Sequence, residues 1–447
     1  MALSVPTPTR RVLAAASAAL LALLAVLTVV ASPAQAAPPT TDDPGAAAAG
    51  WLSRQFVDGD HLETAFNGQK FPDAGLTLDG VLGLAAAGVA RDTAGAAMVW
   101  VGEPANLETY VGNGTTESFA GALAKLSLTA QVQGLDATRF GSAKVDLLAR
   151  LGARITASGR FTDKSSFGDF SNGFSQSYAV LALVRAGSVP PSAVSFLAGS
   201  ACPDGGFPLH FDQPTCTPDP DTTSLAAQAL AAAGDGAAAT AGIRWLASDQ
   251  RADGSFGGGE SSTGPNANST GLAGQALRAA GSTAAAGRAA AYLRSLQSGC
   301  TAAVARRGAI AFDRTGFDAS NAARATTQAL LGLSGPGLLT LDGTSAEPEA
   351  PELACAAPPT SSAPATHPTP TPTRSSTAPT TAAPTTAAPT SQSAVPVPAP
   401  STSPAAFGGT LPNTGASPLP VVWIGLGLLA AGTALLFLGR RRGPAKP

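Results

Sequence analysis

One short pattern returns along the chain and restricts it to repeat folds. Leu84-Ala85-Ala86-Ala87-Gly88, Leu183-Val184-Arg185-Ala186-Gly187, Leu230-Ala231-Ala232-Ala233-Gly234 and Leu277-Arg278-Ala279-Ala280-Gly281 each end an Ala-rich apolar run on glycine, where a helix exit favours positive φ. The last three glycines are 47 residues apart, and Gly88 to Gly187 is 99, about two intervals. Leu331-Gly332-Leu333-Ser334-Gly335 closes a slightly longer unit. About six units of roughly 45–55 residues fill the chain between its unusual ends, as expected of stacked helical hairpins.

Each unit reads as two helical segments. The later one follows capping residues: Asp221-Thr222-Thr223-Ser224 before Leu225, and Asn268-Ser269-Thr270 before Leu272, side chains able to accept from free backbone N–H groups. Its residues are small, which permits close packing. The earlier segment carries an aromatic beside leucine, at Trp51-Leu52, Phe196-Leu197, Trp245-Leu246 and Tyr292-Leu293. Trp245-Leu246, Gln250 and Gly254-Ser255-Phe256 together resemble the QW repeat of the squalene cyclase and protein prenyltransferase superfamily. Phe196-Leu197 to Gly205-Gly206-Phe207 keeps that spacing with Ala201 in place of the glutamine, and Tyr292-Leu293 to Gln297 keeps the first half. The resemblance implies an all-α chain, an α/α toroid of about six helical hairpins spanning residues 37–355, with six inner and six outer helices. An open α-solenoid and an (α/α)6 barrel of glycoside-processing type share the hairpin repeat, and sequence does not separate them by closure.

The ends carry a different message. Leu411-Pro412-Asn413-Thr414-Gly415 precedes an uncharged apolar run over 421–438 and then Arg440-Arg441-Arg442. Residues 411–447 resemble the sorting signal of Gram-positive surface proteins, which a sortase cleaves between Thr and Gly. That implies covalent linkage of Thr414 to peptidoglycan and a transient stay of the C-terminal transmembrane helix in the plasma membrane. The run is long enough to cross about 30 Å of hydrocarbon, and the arginines favour a cytoplasmic end. At the other end Arg10-Arg11, an apolar stretch and Ala34-Gln35-Ala36 read as a signal peptide over 1–36. Residues 356–410 are almost all Pro, Thr, Ser and Ala. Such a composition buries no core and reads as a disordered, wall-spanning stalk. The expected localisation is secreted and anchored to the cell wall.

Composition excludes some functions and weakens others. The chain has 27 basic and 29 acidic residues, a net charge of −2, and no basic stripe, so nucleic acid is not an expected partner. Squalene-type cyclases protonate an alkene with the middle carboxylic acid of Asp-x-Asp-Asp. Here Asp219-Pro220-Asp221-Thr222 keeps two of those carboxylates and has threonine at the fourth position. Asp219 and Asp221 are therefore weak catalytic candidates, and Asp221 reads first as a helix cap. The prenyltransferase zinc set needs Asp-x-Cys, which the chain lacks, so no metal is expected. Cys202, Cys216, Cys300 and Cys355 form an even set in an exported chain, read as two disulfides. Proximity favours Cys202 with Cys216, which leaves Cys300 for Cys355.

In a toroid the N-termini of the inner helices share one rim. That rim should hold Asn172, Asp219, Asp221, Asn268 and Asp318, with Asn113, Ser175 and Ser269 nearby. Helix dipoles there favour an anion, whereas the aspartates oppose one, so the sign of a ligand stays open. The reading favoured is a wall-anchored toroid that binds a small molecule or glycan without catalysis. Cobalamin-like ligands come in because the superfamily includes cobalamin carriers. The alternatives are a terpenoid-cyclase-like or glycan-processing enzyme using rim carboxylates, and a purely structural surface protein.

Overall fold

The computed structural model describes residues 38–258 and 264–356. The signal peptide, the stalk from 357 onward, the LPNTG motif and the 421–438 span lie outside the described residues. Among those described, no helix is long and apolar enough to cross a membrane.

Thirteen α-helices form among the described residues. The inner set is α2 (Ala74–Ala87), α5 (Ala120–Val132), α7 (Gly173–Arg185), α9 (Pro220–Ala232), α11 (Ala267–Ala279) and α13 (Ala322–Leu333). Outside them lie α1 (Pro44–Ser53), α3 (Arg91–Val101), α4 (Pro104–Val111), α6 (Leu147–Gly152), α8 (Pro191–Gly199), α10 (Gly236–Asp249) and α12 (Thr283–Ser295). Each inner helix packs on the next, and α13 packs on α2. The ring is closed, which settles the toroid against an open solenoid. The inner helices end at Gly88, Gly134, Gly187, Gly234, Gly281 and Gly335, each with positive φ. Gly134 ends the second unit and divides the 99-residue interval that the leucine pattern leaves whole.

Inner helices are buried on every side, as α9 shows from Pro220 through Leu230. A helix enclosed all round must keep its neighbours close or leave voids, and small residues allow that approach. A Cβ placed on Gly271 of α11 would lie 2.1 Å from the Gln328 carbonyl oxygen of α13, and one on Gly332 would lie 2.8 Å from the Gly271 Cα. Caps differ from the sequence reading. Asp219 accepts from Thr222 N at 2.7 Å and Asn266 accepts from Ser269 N at 2.8 Å. Asp221 and Asn268 instead lie inside the first turns of α9 and α11.

After α13 the chain turns at Gly335 and crosses the C-terminal opening of the ring. Gln275 Nε2 donates to Pro336 O at 3.0 Å, and Leu338 N donates to Gln228 Oε1 at 2.9 Å. Arg185 Nη1 donates to the carbonyls of Leu338, Leu339 and Leu341. Leu338 and Leu341 of this strap are buried. Further on, the carbonyls of Glu347, Pro348 and Glu349 accept from Arg91, Asp92 and Ala90, capping α3, which has no side-chain cap. Parallel strands β1 (Thr40–Thr41) and β4 (Glu352–Leu353) then join the start of the described body to its end. Cys300 is bonded to Cys355 and Cys202 to Cys216, each pair with Cα atoms 5.5 Å apart. A two-stranded hairpin, β2 (Glu63–Phe66) with β3 (Gln69–Pro72), precedes α2.

Candidate functional site

A recurring hydrogen bond fixes how the inner helices are rotated. In the turn before each of four inner helices, a buried backbone N–H donates to a threonine hydroxyl one turn into that helix. The pairs are Leu62 to Thr77, Phe207 to Thr223, Phe256 to Thr270 and Ile310 to Thr326, at 2.8–3.0 Å. In a fifth unit Phe161 N donates to Gln176 Oε1 at 2.9 Å. These side chains face outward, so with 3.6 residues per turn the positions two before, two after and five after face the ring axis.

That phase brings Asp221, Leu225 and Gln228 of α9 to the axis, beside Asn268, Leu272 and Gln275 of α11. From the other side come Phe174 and Tyr178 of α7, Asp79 of α2, and Arg324 and Gln328 of α13. Contacts between helices agree with this placement. Lys125 of α5 pairs with Asp79 at 2.5 Å, donates to Gly75 O at 3.1 Å, and sits 6.0 Å from the Tyr178 ring centroid. Gln228 Nε2 donates to Gln275 Oε1 at 3.4 Å, and Arg324 bonds Asp73 at 3.0 Å.

Carboxylates in this interior are paired with cations, Asp79 with Lys125 and Asp73 with Arg324. Burial, then Asp79 and Asp221, push the Tyr178 hydroxyl well above its ordinary pKa. Burial, then Asp79 and Asp73, do the same to Tyr110. In both, burial is the larger cause, and each neighbouring anion adds to it by making a phenolate costlier. Lys125 is 0% exposed. Asn268 stands out in this layer: it is 1% exposed, and neither its Oδ1 nor its Nδ2 meets a hydrogen-bond partner. Buried amides are nearly always satisfied, so one with both ends unmet calls for an explanation.

The rim candidates therefore separate. Asp221 and Asn268 come together near the axis on adjacent helices. Asn172 forms a capping box with Ser175 at the start of α7, and Asp219 caps α9 while also accepting from the Thr222 hydroxyl at 2.8 Å. Asp318 holds an exposed turn with Ser320 ahead of α13. Asn113 likewise holds an exposed turn over 113–117. Sequence reasoning missed Asp79, Lys125 and Tyr178. Lys125 had a signal: it is the lone charge in the run Ala120–Val132, where a lysine with no polar face to occupy needs a buried anion. Among the described residues no group of three or more His, Cys, Asp or Glu side chains is arranged to hold a metal ion.

The QW elements act structurally. Trp245 Nε1 donates to Asp204 Oδ2 at 3.0 Å, and Gln250 Nε2 donates to Gly254 O and to Ala285 O in the first turn of α12. Gln297 does the same toward Pro44 O of α1. Where Ala201 replaces the glutamine, Gln176 of α7 already joins the preceding Phe161 turn to Ala193 O of α8.

No protein-family model matches the chain, and no curated protein matches it. Similar folds occur among solved structures. A protein from Actinoplanes is 18% identical, with 65% of this chain covering 98% of that one at a TM-score of 0.47. The type II terpene cyclase MstE from Scytonema is 14% identical over 65% of this chain and 96% of its own, with a TM-score of 0.49. Haptocorrin in complex with Cbi is 14% identical over 67% and 68%, with a TM-score of 0.40. Terpene-cyclase-like toroids are thus among the similar structures, while the closed ring itself stands on the helix packing described above.

Proposed function

We propose that the protein is a cell-wall display module whose toroid binds a small polar molecule at the N-terminal mouth of the ring, without catalysis. The observation that carries this reading is Asn268, buried on the axis beside Asp221 with both ends of its amide unmet. A ligand offering one donor and one acceptor would recover hydrogen bonds whose loss costs about 1–3 kcal/mol per buried group. The strap covers the C-terminal opening, and on this reading the ligand enters at the N-terminal mouth. On the same reading a sortase joins Thr414 to peptidoglycan, and residues 356–410 lift the ring through the wall.

Cyclase chemistry finds less support. The carboxylate that would steady an acid at Asp221 is replaced by Thr222, whose hydroxyl is spent on Asp219. The aromatic faces the helical phase turns inward are those of Phe174 and Tyr178, and the Lys125 ammonium sits next to the second.

The test is native mass spectrometry of protein isolated from its own cell wall. A bound mass is expected, released on denaturation and lost in Asn268→Leu. An unliganded spectrum for wild type under all extraction conditions refutes mouth binding. Asp221-dependent conversion of geranylgeraniol would instead establish an enzyme.

A further inference from the structure

The strap across the C-terminal opening is held as a bound peptide is held. Residues 334–351 form neither helix nor strand, and their backbone meets the ring directly. Three side chains on three inner helices receive it. Gln275 of α11 donates to Pro336 O, Gln228 of α9 accepts from Leu338 N, and Arg185 of α7 donates to the carbonyls of Leu338, Leu339 and Leu341. Gly343 N adds a bond to the Val132 carbonyl of α5 at 2.9 Å. Leu338 and Leu341 are each 1% exposed, whereas Leu339 and Thr340 between them lie open to solvent. A Cβ on Gly337 would lie 2.7 Å from the Ala279 Cβ and 3.0 Å from Gln228 Oε1, so the position before the first buried leucine must stay bare. Asp342 of the strap is the anion acting on the Arg185 guanidinium.

We propose that the C-terminal opening of the ring is a peptide-binding site, filled here in cis by the strap, and that it accepts in trans an extended segment of the form Gly-Leu-x-x-Leu-Asp. Main-chain hydrogen bonds give such a site its affinity, and pockets for particular side chains give it selection. Two buried leucines and a bare glycine set the selection here, and the acid beside Arg185 sets the direction. The site is separate from the N-terminal mouth: Gln275 lies seven residues beyond Asn268, about 10 Å along α11. The strap is fixed before the opening by α13 and beyond it by the β1–β4 pair and Cys300–Cys355, so it can lift as a loop while both ends stay in place. As a tethered competitor it acts at an effective concentration on the order of millimolar, which closes the site to weaker peptides.

The probe is a fluorescein-labelled peptide copying residues 335–344, followed by anisotropy with the full-length chain in detergent micelles. Leu338→Glu carries a charge into a buried position and expels the strap. The probe should bind that chain at least about tenfold more tightly than wild type, the worth of one buried leucine side chain. Adding Gln228→Leu should reverse the gain, and a probe carrying the same Leu338→Glu change should not bind. A second form folds before its strap is opened: a thrombin sequence inserted after the exposed Thr340 is cut in the folded chain, which should gain the same affinity with its helical circular dichroism retained. The cut chain decides alone where Leu338→Glu does not fold. Opened chains that keep their helix content yet bind the probe no better than wild type overturn the proposal. Equal binding of the altered probe overturns it as well, because the contacts would then lie outside the opening.

Discussion

Replacing Lys125 tests whether the ring interior is organised around a buried charge. The side chain is 0% exposed, Asp79 is 5% exposed, and the ammonium bonds both that carboxylate and the Gly75 carbonyl. Lys125→Met keeps the volume and removes the charge, so Asp79 remains in the core without its cation. Breaking one side of a buried pair typically costs about 3–5 kcal/mol. At about 2–4 °C per kcal/mol in domains of 150–250 residues, this corresponds to a melting point lower by roughly 6–20 °C, with the lower half fitting a larger body. The double variant Asp79→Leu/Lys125→Met removes both charges and should recover most of the loss, because replacing a whole buried pair with apolar groups is often neutral or stabilising. Urea denaturation followed by circular dichroism on both singles and the double completes the cycle. A Lys125→Met cost below about 1 kcal/mol, or a double variant as unstable as the sum of the singles, would refute the argument.

Three further outcomes are expected. Asp163, which accepts from Ala120 N and Phe170 N, has a pKa raised chiefly by burial. A folded-state value above the unfolded one contributes stability at low pH that is lost as pH rises through the folded value. Wild type should therefore lose stability relative to Asp163→Asn as pH climbs above 3.8, the ordinary value for this group; paired urea titrations that show a flat or opposite trend would reject this. A Cβ on Gly50 would lie 1.6 Å from the Pro351 carbonyl oxygen, so Gly50→Ala should cost about 1–3 kcal/mol and expose the β1–β4 junction to limited proteolysis. Thr414→Ala should deplete the wall-linked fraction in fractionated cells, and an unchanged fraction would remove the sortase reading.

The parts of the fold legible in the sequence were those set by local chemistry. Leucine and glycine at helix ends mark where a chain needs positive φ, and the aromatic-Leu pairs mark the outer helices. Closure was not legible, since it depends on α13 meeting α2 across about 250 residues. Nor were the caps correctly placed. A run such as Asp219-Pro220-Asp221-Thr222 offers two aspartates, and the choice between them follows from Pro220, which suits the first helical turn and makes Asp219 the cap. Once Asp219 caps, Asp221 is rotated toward the axis, and the same shift from Asn266 carries Asn268 there. The candidate site was thus half visible. Its residues stood in the sequence, but their direction depended on a cap assignment and on threonine bonds to turns that only the folded chain supplies.

Glycine and alanine content links composition to the kind of ligand the mouth can take. Inner helices that approach at Gly271 and Gly332 draw their axes together. A Cβ on Gly83 of α2 would likewise lie 2.8 Å from the Thr327 carbonyl oxygen of α13, so the seam that closes the ring is equally tight. As helices converge, the ring narrows and short side chains reach the axis. Lys125 then spans from α5 to Asp79 on α2, and Gln228 reaches Gln275. Such an interior is occupied by polar cross-connections rather than by a broad aromatic lining. On the binding reading proposed above, a small polar molecule beside Asn268 would leave the Lys125–Asp79 pair intact. The small residues of the inner helices thus bring the helices close enough for Lys125 and Gln228 to reach across to neighbouring helices.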